Sequence, residues 1–91
     1  MESWLRPGAH IHLVGIGGIG LSAIARVLRG WGYQVSGSDC HRSPLTESLA
    51  GEGIRVFEGH RAEHVDGADV IVVSSAIPEE NPELLEAQRR A

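Results

Sequence analysis

Residues 10–20, His10-Ile11-His12-Leu13-Val14-Gly15-Ile16-Gly17-Gly18-Ile19-Gly20, decide how this chain is read. His10 to Val14 is a short run with Ile11, Leu13 and Val14 apolar, stopped by glycine, which suits a buried strand. Beyond the glycines the apolar set Leu21, Ile24, Ala25, Leu28 and Trp31 steps by threes and fours, while Ser22, Arg26 and Arg29 share another side. That spacing predicts an amphipathic helix from Ile19 to about Gly30 or Gly32, with Leu28 and Trp31 in the core. Gly15, Gly17 and Gly20 then form a Gly-x-Gly-x-x-Gly pattern at a strand-to-helix junction. There the first glycine permits a tight turn, the second lets a phosphate approach the backbone, and the third lets helix and strand pack closely. Free N–H groups at the helix start face the anion, aided by the helix dipole.

Working outward, Met1 to Ala9 reads as a lead-in, and Tyr33 to Ser38 is a second strand ending in Asp39. Ser43-Pro44 supplies an N-cap and a proline at the first helical position, with Glu47 in the opening turn, so a short helix runs to about Ala50. Gly51 and Gly53 end it. Ile54 to Phe57 is a third strand and Asp69 to Ser74 a fourth, whose consecutive β-branched residues predict cover on both faces. Between them, Gly59 to Ala68 is polar and reads as a loop with one helical turn. Asn81-Pro82 opens a last helix with Glu83 early and Arg89 and Arg90 late, as the dipole favours. Strands alternating with helices over short connections give a Rossmann-like α/β domain: a parallel sheet of order 3-2-1-4 with helices on both faces. The chain stops at Arg90-Ala91, where another strand is expected, so the sheet is expected to lack a last strand and the chain to be part of a longer protein.

Composition narrows the function. With 91 residues and a formal charge of −4 there is room for one small domain, and 42% apolar with 22% charged residues is ordinary for a globular one. Mild acidity without a run of basic residues disfavours nucleic acid and anionic membrane as partners. Cys40, the lone cysteine, cannot form an internal disulfide and fits a reducing cytoplasm. No apolar stretch approaches the ~18 residues of a membrane span, and Met1 to Gly8 lacks the apolar core of a signal peptide.

Asp39 lies ~20 residues beyond Gly20, where such folds place the acid that accepts from ribose hydroxyls. On the residues alone the ligand has a ribose and a diphosphate, with NAD the first guess and a solvated Asp39 the alternative. Ser74, Ser75, Ala76 and Ile77 follow the fourth strand and face the same crevice, and His60 and Arg61 put a ring and a cation near its edge, with surface decoration as the alternative. No metal site is expected: His10 and His12 share a strand face without an acid or thiol at ligand spacing, and Cys40-His41 lacks a second pair. His64 with Glu63 and Asp66 reads as a solvated loop. Asp39-Cys40-His41 does not make a nucleophile, because adjacent side chains diverge.

The segments HIHLVGIGGIGLSAIARVL, VSGSD and GHRAEHVDGADVIVVSSAIPEENPE, in that order, resemble the amino-terminal domain of the UDP-N-acetylmuramate:L-alanine ligases, members of the Mur ligase family, from His10 to about Arg90. The Gly-Ser-Asp strand end combined with Ser-Ser-Ala-Ile and the following Asn-Pro carries the resemblance; the glycine loop alone admits many families. The related murein-peptide ligases rank second, and an NAD(P)-binding oxidoreductase domain is the alternative from physics. The resemblance implies a cytoplasmic peptidoglycan enzyme that joins L-alanine to the lactyl carboxylate of UDP-N-acetylmuramate through an acyl phosphate, using ATP and Mg²⁺. It implies that this domain holds the UDP part, with Gly17, Gly18, Ile19, Gly20 and Ser22 at the diphosphate and Gly15 among the binding residues, Ser38 and Asp39 at the ribose, His60 beside Arg61 at the uracil, and Ser74, Ser75, Ala76 and Ile77 as the other wall. The sequence departs from a complete ligase in having no Gly-x-x-Gly-Lys-Thr/Ser loop and no lysine at all. The expectation is a chain that binds the nucleotide sugar, holds no cofactor and has no catalytic residue, with ATP and L-alanine engaged by other domains.

Overall fold

The computed structural model describes residues 7–90, so residues 1–6 of the expected lead-in lie outside the described residues. Strands β1 (His10–Val14), β2 (Gln34–Asp39), β3 (Arg55–Glu58) and β4 (Val70–Val73) alternate with helices α1 (Ile19–Gly30), α2 (Pro44–Gly51) and α3 (Pro82–Arg90). The sheet is parallel with order β3-β2-β1-β4, as the sequence predicts. The polar stretch between β3 and β4 contains its single turn of helix, a 3-10 turn at Ala62–Val65.

Strand register sorts the side chains onto two unlike faces. Ile11 aligns with Val35 and Val70, and Leu13 with Gly37 and Val72. Together with Ile16, Leu21, Ala25, Leu49 and Ile54, the apolar members of these rows form the core beneath α1 and α2. Because side chains alternate along a strand, His10, His12, Ser36 and Ser38 point the other way, toward α3 and the 3-10 turn. One face is therefore packed with hydrocarbon, while the other sets imidazoles and hydroxyls beside Val14, Phe57, Ile71 and Val73.

Local signals place the helices as expected. Ser43 Oγ accepts from Thr46 N at 3.1 Å while Ser43 N donates to Thr46 Oγ1 at 2.8 Å, a reciprocal cap in which threonine does the work of the usual acid. Asn81 Oδ1 accepts from Glu83 N at 2.9 Å and caps α3, with Pro82 at the first helical position.

Three expectations are corrected. Trp31 is 67% exposed rather than core; as the C-cap residue it has left the helical spiral, with φ −84° and ψ 0°, so helical spacing no longer aims it at the sheet. Strand β4 is only half-buried along its length, because it is an edge strand flanked by β1 alone. The close approach assigned to Gly20 occurs elsewhere. A Cβ on Gly20 would meet nothing within 4 Å, whereas one on Gly37 would lie 2.5 Å from Ile16 Cδ1 and 2.8 Å from the Leu13 carbonyl.

Candidate functional site

At the carboxyl ends of the strands the chain forms an open cleft of about 610 Å³. Open α/β sheets bind ligands at this edge, where successive crossovers leave in opposite directions. Here that switch falls beside β1, since α1 leads to β2 on one side and β4 pairs on the other. A smaller cleft of about 320 Å³ lies by His10, Tyr33, Gln34 and Arg55 at the opposite edge, and no residue expected at the ligand lines it.

Of the residues named from sequence, Gly15, Gly18, Asp39, His60, Ser74, Ala76 and Ile77 line the larger cleft. Cys40, Pro78, Glu80, Asn81 and Pro82 complete its wall and were not anticipated. The turn that shapes it rests on Gly15, at φ +91°, where a Cβ would lie 3.1 Å from Ser74 Cβ. The amides of Gly15 and Ile16 both donate to the Ser38 carbonyl, at 2.8 and 3.0 Å, which fastens the loop to the end of β2. Gly18 is the N-cap of α1 and offers no side-chain acceptor, and the first turn holds no acid. The opening amides of α1 are therefore left for an anion.

The other named residues take different positions. The Gly17 amide donates to Asp39 Oδ2 at 2.9 Å, and a Cβ there would lie 2.8 Å from the same oxygen. Gly17 is thus glycine because Asp39 packs on it, whatever else approaches. Ser22 Oγ is buried and donates to the Ile19 carbonyl at 2.9 Å, while Ile19 is 87% exposed and Gly20 is exposed beside it. The Arg61 guanidinium points to solvent near Glu63, and Ser75 is exposed off the cleft wall. Ser38 is fully buried and donates to Glu83 Oε1 at 2.7 Å.

Glu83 stands in the first turn of α3, as the sequence predicts, but its burial and its partners were not anticipated. Read as an acid favoured by the helix dipole, it is at 0% exposure and at the centre of the polar face. Its Oε1 meets His12 Nε2 at 2.6 Å and the Ser38 hydroxyl. Its Oε2 meets His64 Nδ1 at 2.9 Å, His60 Nδ1 at 3.1 Å and the Arg61 amide at 3.2 Å. Burial alone would push the carboxyl up, but the bonds from His12, His64 and Ser38, with the nearby charge of His12, hold it down at about 2. His64 is therefore no solvated loop residue: it joins this cluster and stacks on Phe57 with centroids 4.1 Å apart. A signal was present in the sequence, since His12, Ser36 and Ser38 alternate with Ile11, Leu13 and Val35, and polar residues on one strand face need buried partners. Among the described residues no three His, Cys, Asp or Glu side chains are grouped to hold a metal ion; the ring nitrogens here point at carboxylate oxygens instead.

The profile of the Mur ligase family, catalytic domain, matches residues 10–91. The chain belongs to the Mur ligase family. Among curated relatives, this Mur ligase chain is 58% identical over 88 residues to the UDP-N-acetylmuramate--L-alanine ligase of Solibacter usitatus, covering 97% of the chain and 18% of that protein. It is 59% identical to the namesake from Salinibacter ruber, over 88% of the chain and 17% of that protein. The solved UDP-N-acetylmuramate-alanine ligase of Thermotoga maritima superposes with TM-score 0.85 at 36% identity, over 89% of the chain and 19% of that structure. The UDP-N-acetylmuramate:L-alanyl-gamma-D-glutamyl-meso-diaminopimelate ligase of Neisseria meningitides does so with TM-score 0.79 at 33% identity, over 90% of the chain and 26% of that structure. The chain thus spans about a fifth of the length of the alanine ligases it matches. No helix among its described residues is long and apolar enough to cross a membrane.

Proposed function

We propose that this Mur ligase chain is the nucleotide-sugar-holding domain of a cytoplasmic UDP-N-acetylmuramate:L-alanine ligase, and that the cleft at the carboxyl ends of β1, β2 and β4 takes the UDP part of the substrate. The observation that carries this reading is the arrangement of three features on one cleft: the uncapped start of α1 behind Gly18, the Asp39 carboxylate, and the His60 ring. An anion at the α1 amides is held by unpaired N–H groups and the helix dipole. Asp39 Oδ1 then faces a ribose within reach while Oδ2 stays on the Gly17 amide, and His60 stands at the base. The names of the curated relatives, alanine ligases at 52–59% identity, support the same substrate.

ATP and Mg²⁺ serve the reaction those names describe, and the residues here do not fit them. There is no lysine and no Gly-x-x-Gly-Lys-Thr/Ser loop to cradle a triphosphate. The chain's own part is therefore to bind and orient, with phosphoryl transfer and the L-alanine site lying in the rest of such a ligase. Amide NMR titration of the chain with UDP-N-acetylmuramate and, separately, NADH tests the reading. Shifts at Gly18, Asp39 and His60 are expected with the first ligand; shifts there with NADH alone would replace the ligase reading by an oxidoreductase one.

A further inference from the structure

An ionised carboxylate only accepts hydrogen bonds, so with Glu83 held at about 2 each of its five neighbours donates. That assigns the protons around it. His12 donates through Nε2 to Oε1, while its Nδ1 lies 2.8 Å from Ser36 Oγ, which in turn lies 2.7 Å from His10 Nε2. His60 donates through Nδ1, which lies 3.1 Å from Glu83 Oε2 and 3.0 Å from Ser38 Oγ. Among the described residues the other ring nitrogen, Nε2, has no partner, yet none of their buried side-chain nitrogens or oxygens lacks one. Nε2 is thus on the accessible side of a ring that lines the cleft.

We propose that Glu83 is a positioning residue that holds His60 in its Nδ1–H tautomer, so that His60 offers a bare Nε2 lone pair to the cleft as the acceptor for an imide N–H of the bound base. The inference rests on the nucleotide reading of the cleft and adds to it the residue that fixes how the base is told apart. A uracil-type ring carries an N–H between two carbonyls and satisfies that lone pair. Cytosine presents a lone pair at the same ring position, and two acceptors face to face cost the desolvation of both. Glu83 never touches the ligand; its contribution is to fix which nitrogen of the neutral ring carries the proton. Three elements converge on this one ring: the end of β2 through Ser38, the start of α3 through Glu83, and the segment after β3 that carries His60 itself.

The test uses the 91-residue chain with histidines labelled by ¹⁵N, together with UDP and CDP titrations at slightly alkaline pH. Long-range ¹⁵N–¹H correlation is expected to find His60 protonated at Nδ1 and bare at Nε2 before any ligand is added. UDP is expected to bind roughly tenfold more tightly than CDP. In Glu83→Gln the amide cannot accept from all five donors, so the His60 tautomers mix and the preference shrinks to about twofold. Since Glu83 is buried and its replacement lowers stability, His60→Phe gives an independent check: the ring shape stays, the lone pair goes, and the preference is expected to vanish while UDP still binds. A His60 protonated at Nε2 in the parent overturns the proposal whatever binds. The expected tautomer with equal affinity for UDP and CDP also overturns it, and leaves the nucleotide cleft standing. Failure of both nucleotides to bind removes the nucleotide reading and this inference with it.

Discussion

His12 Nε2 lies 2.6 Å from Glu83 Oε1, both side chains wholly buried, although the residues are 71 positions apart. The contact joins the central strand to the start of the last helix and makes α3 part of the sheet's polar face rather than a loose surface element. Replacing one member of such a buried, hydrogen-bonded set leaves the others unsatisfied, which costs far more than an exposed ion pair such as Arg42–Glu47 contributes.

Glu83→Gln is accordingly expected to lower stability by about 2 kcal/mol or more, equivalent to roughly 10 °C in Tm for a domain of this size. Thermal melts followed by circular dichroism measure it. A change under ~0.5 kcal/mol would show that the cluster carries no stability.

Acid provides a second view of the same carboxylate. Its folded value, about 2, is below the ordinary 4.5, so the stability it contributes is complete above about pH 5 and is lost as pH falls toward 2. The Tm gap between parent and Glu83→Gln should therefore be widest near neutrality and narrow progressively below about pH 4. A gap that widens in acid contradicts the assignment.

Two glycines of similar appearance in the sequence should behave oppositely. Gly37→Ala drives a Cβ to 2.5 Å from Ile16 Cδ1 and 2.8 Å from the Leu13 carbonyl, and a loss of about 1–3 kcal/mol is expected. Gly20→Ala adds a methyl in open space within the first turn of α1, and a gain of about 0.5–1 kcal/mol is expected. Chemical denaturation of both variants separates them.

At the ligand end, Gly17→Val pushes a branched side chain onto Asp39 Oδ2 and Thr46 Cγ2, 2.8 and 3.2 Å from the ideal Cβ position. Displacing Asp39 from the loop should weaken UDP binding by about tenfold or more while helix and strand signals persist. Asp39→Asn, which preserves shape and keeps one acceptor oxygen, should weaken it by a similar order through the lost ribose contact. Calorimetric titration reads both, and undiminished affinity in a folded Asp39→Asn chain would remove Asp39 from the site.

Trp31→Ser should change stability by no more than ~0.5 kcal/mol, because the ring is 67% exposed past the end of α1. A loss of several kcal/mol would restore Trp31 to the core.

The element order, the α2 and α3 caps and the crevice at the strand ends were legible in the chain, because each depends on short-range chemistry: apolar periodicity, a serine or asparagine before proline, glycines at a junction; the sheet order 3-2-1-4 followed from short crossovers about a central first strand. The same local rules placed Gly15, Gly18, Asp39, His60, Ser74, Ala76 and Ile77 around one cleft. Local rules also produced the errors. Spacing alone put Trp31 in the core, since periodicity does not know where a helix stops. A generic glycine pattern put the tight contact at Gly20, when register set it between Gly37 and Ile16. His64 read as a solvated loop residue, and Glu83, rightly placed in the first turn of α3, gave no sign of its burial, because their partners His12, Ser38 and Phe57 are supplied by other strands. A residue's backbone tendencies are encoded in its neighbours along the chain. Which buried donor meets which buried acceptor depends on strand register and crossover hand acting over some seventy residues, and only the assembled tertiary structure resolves it.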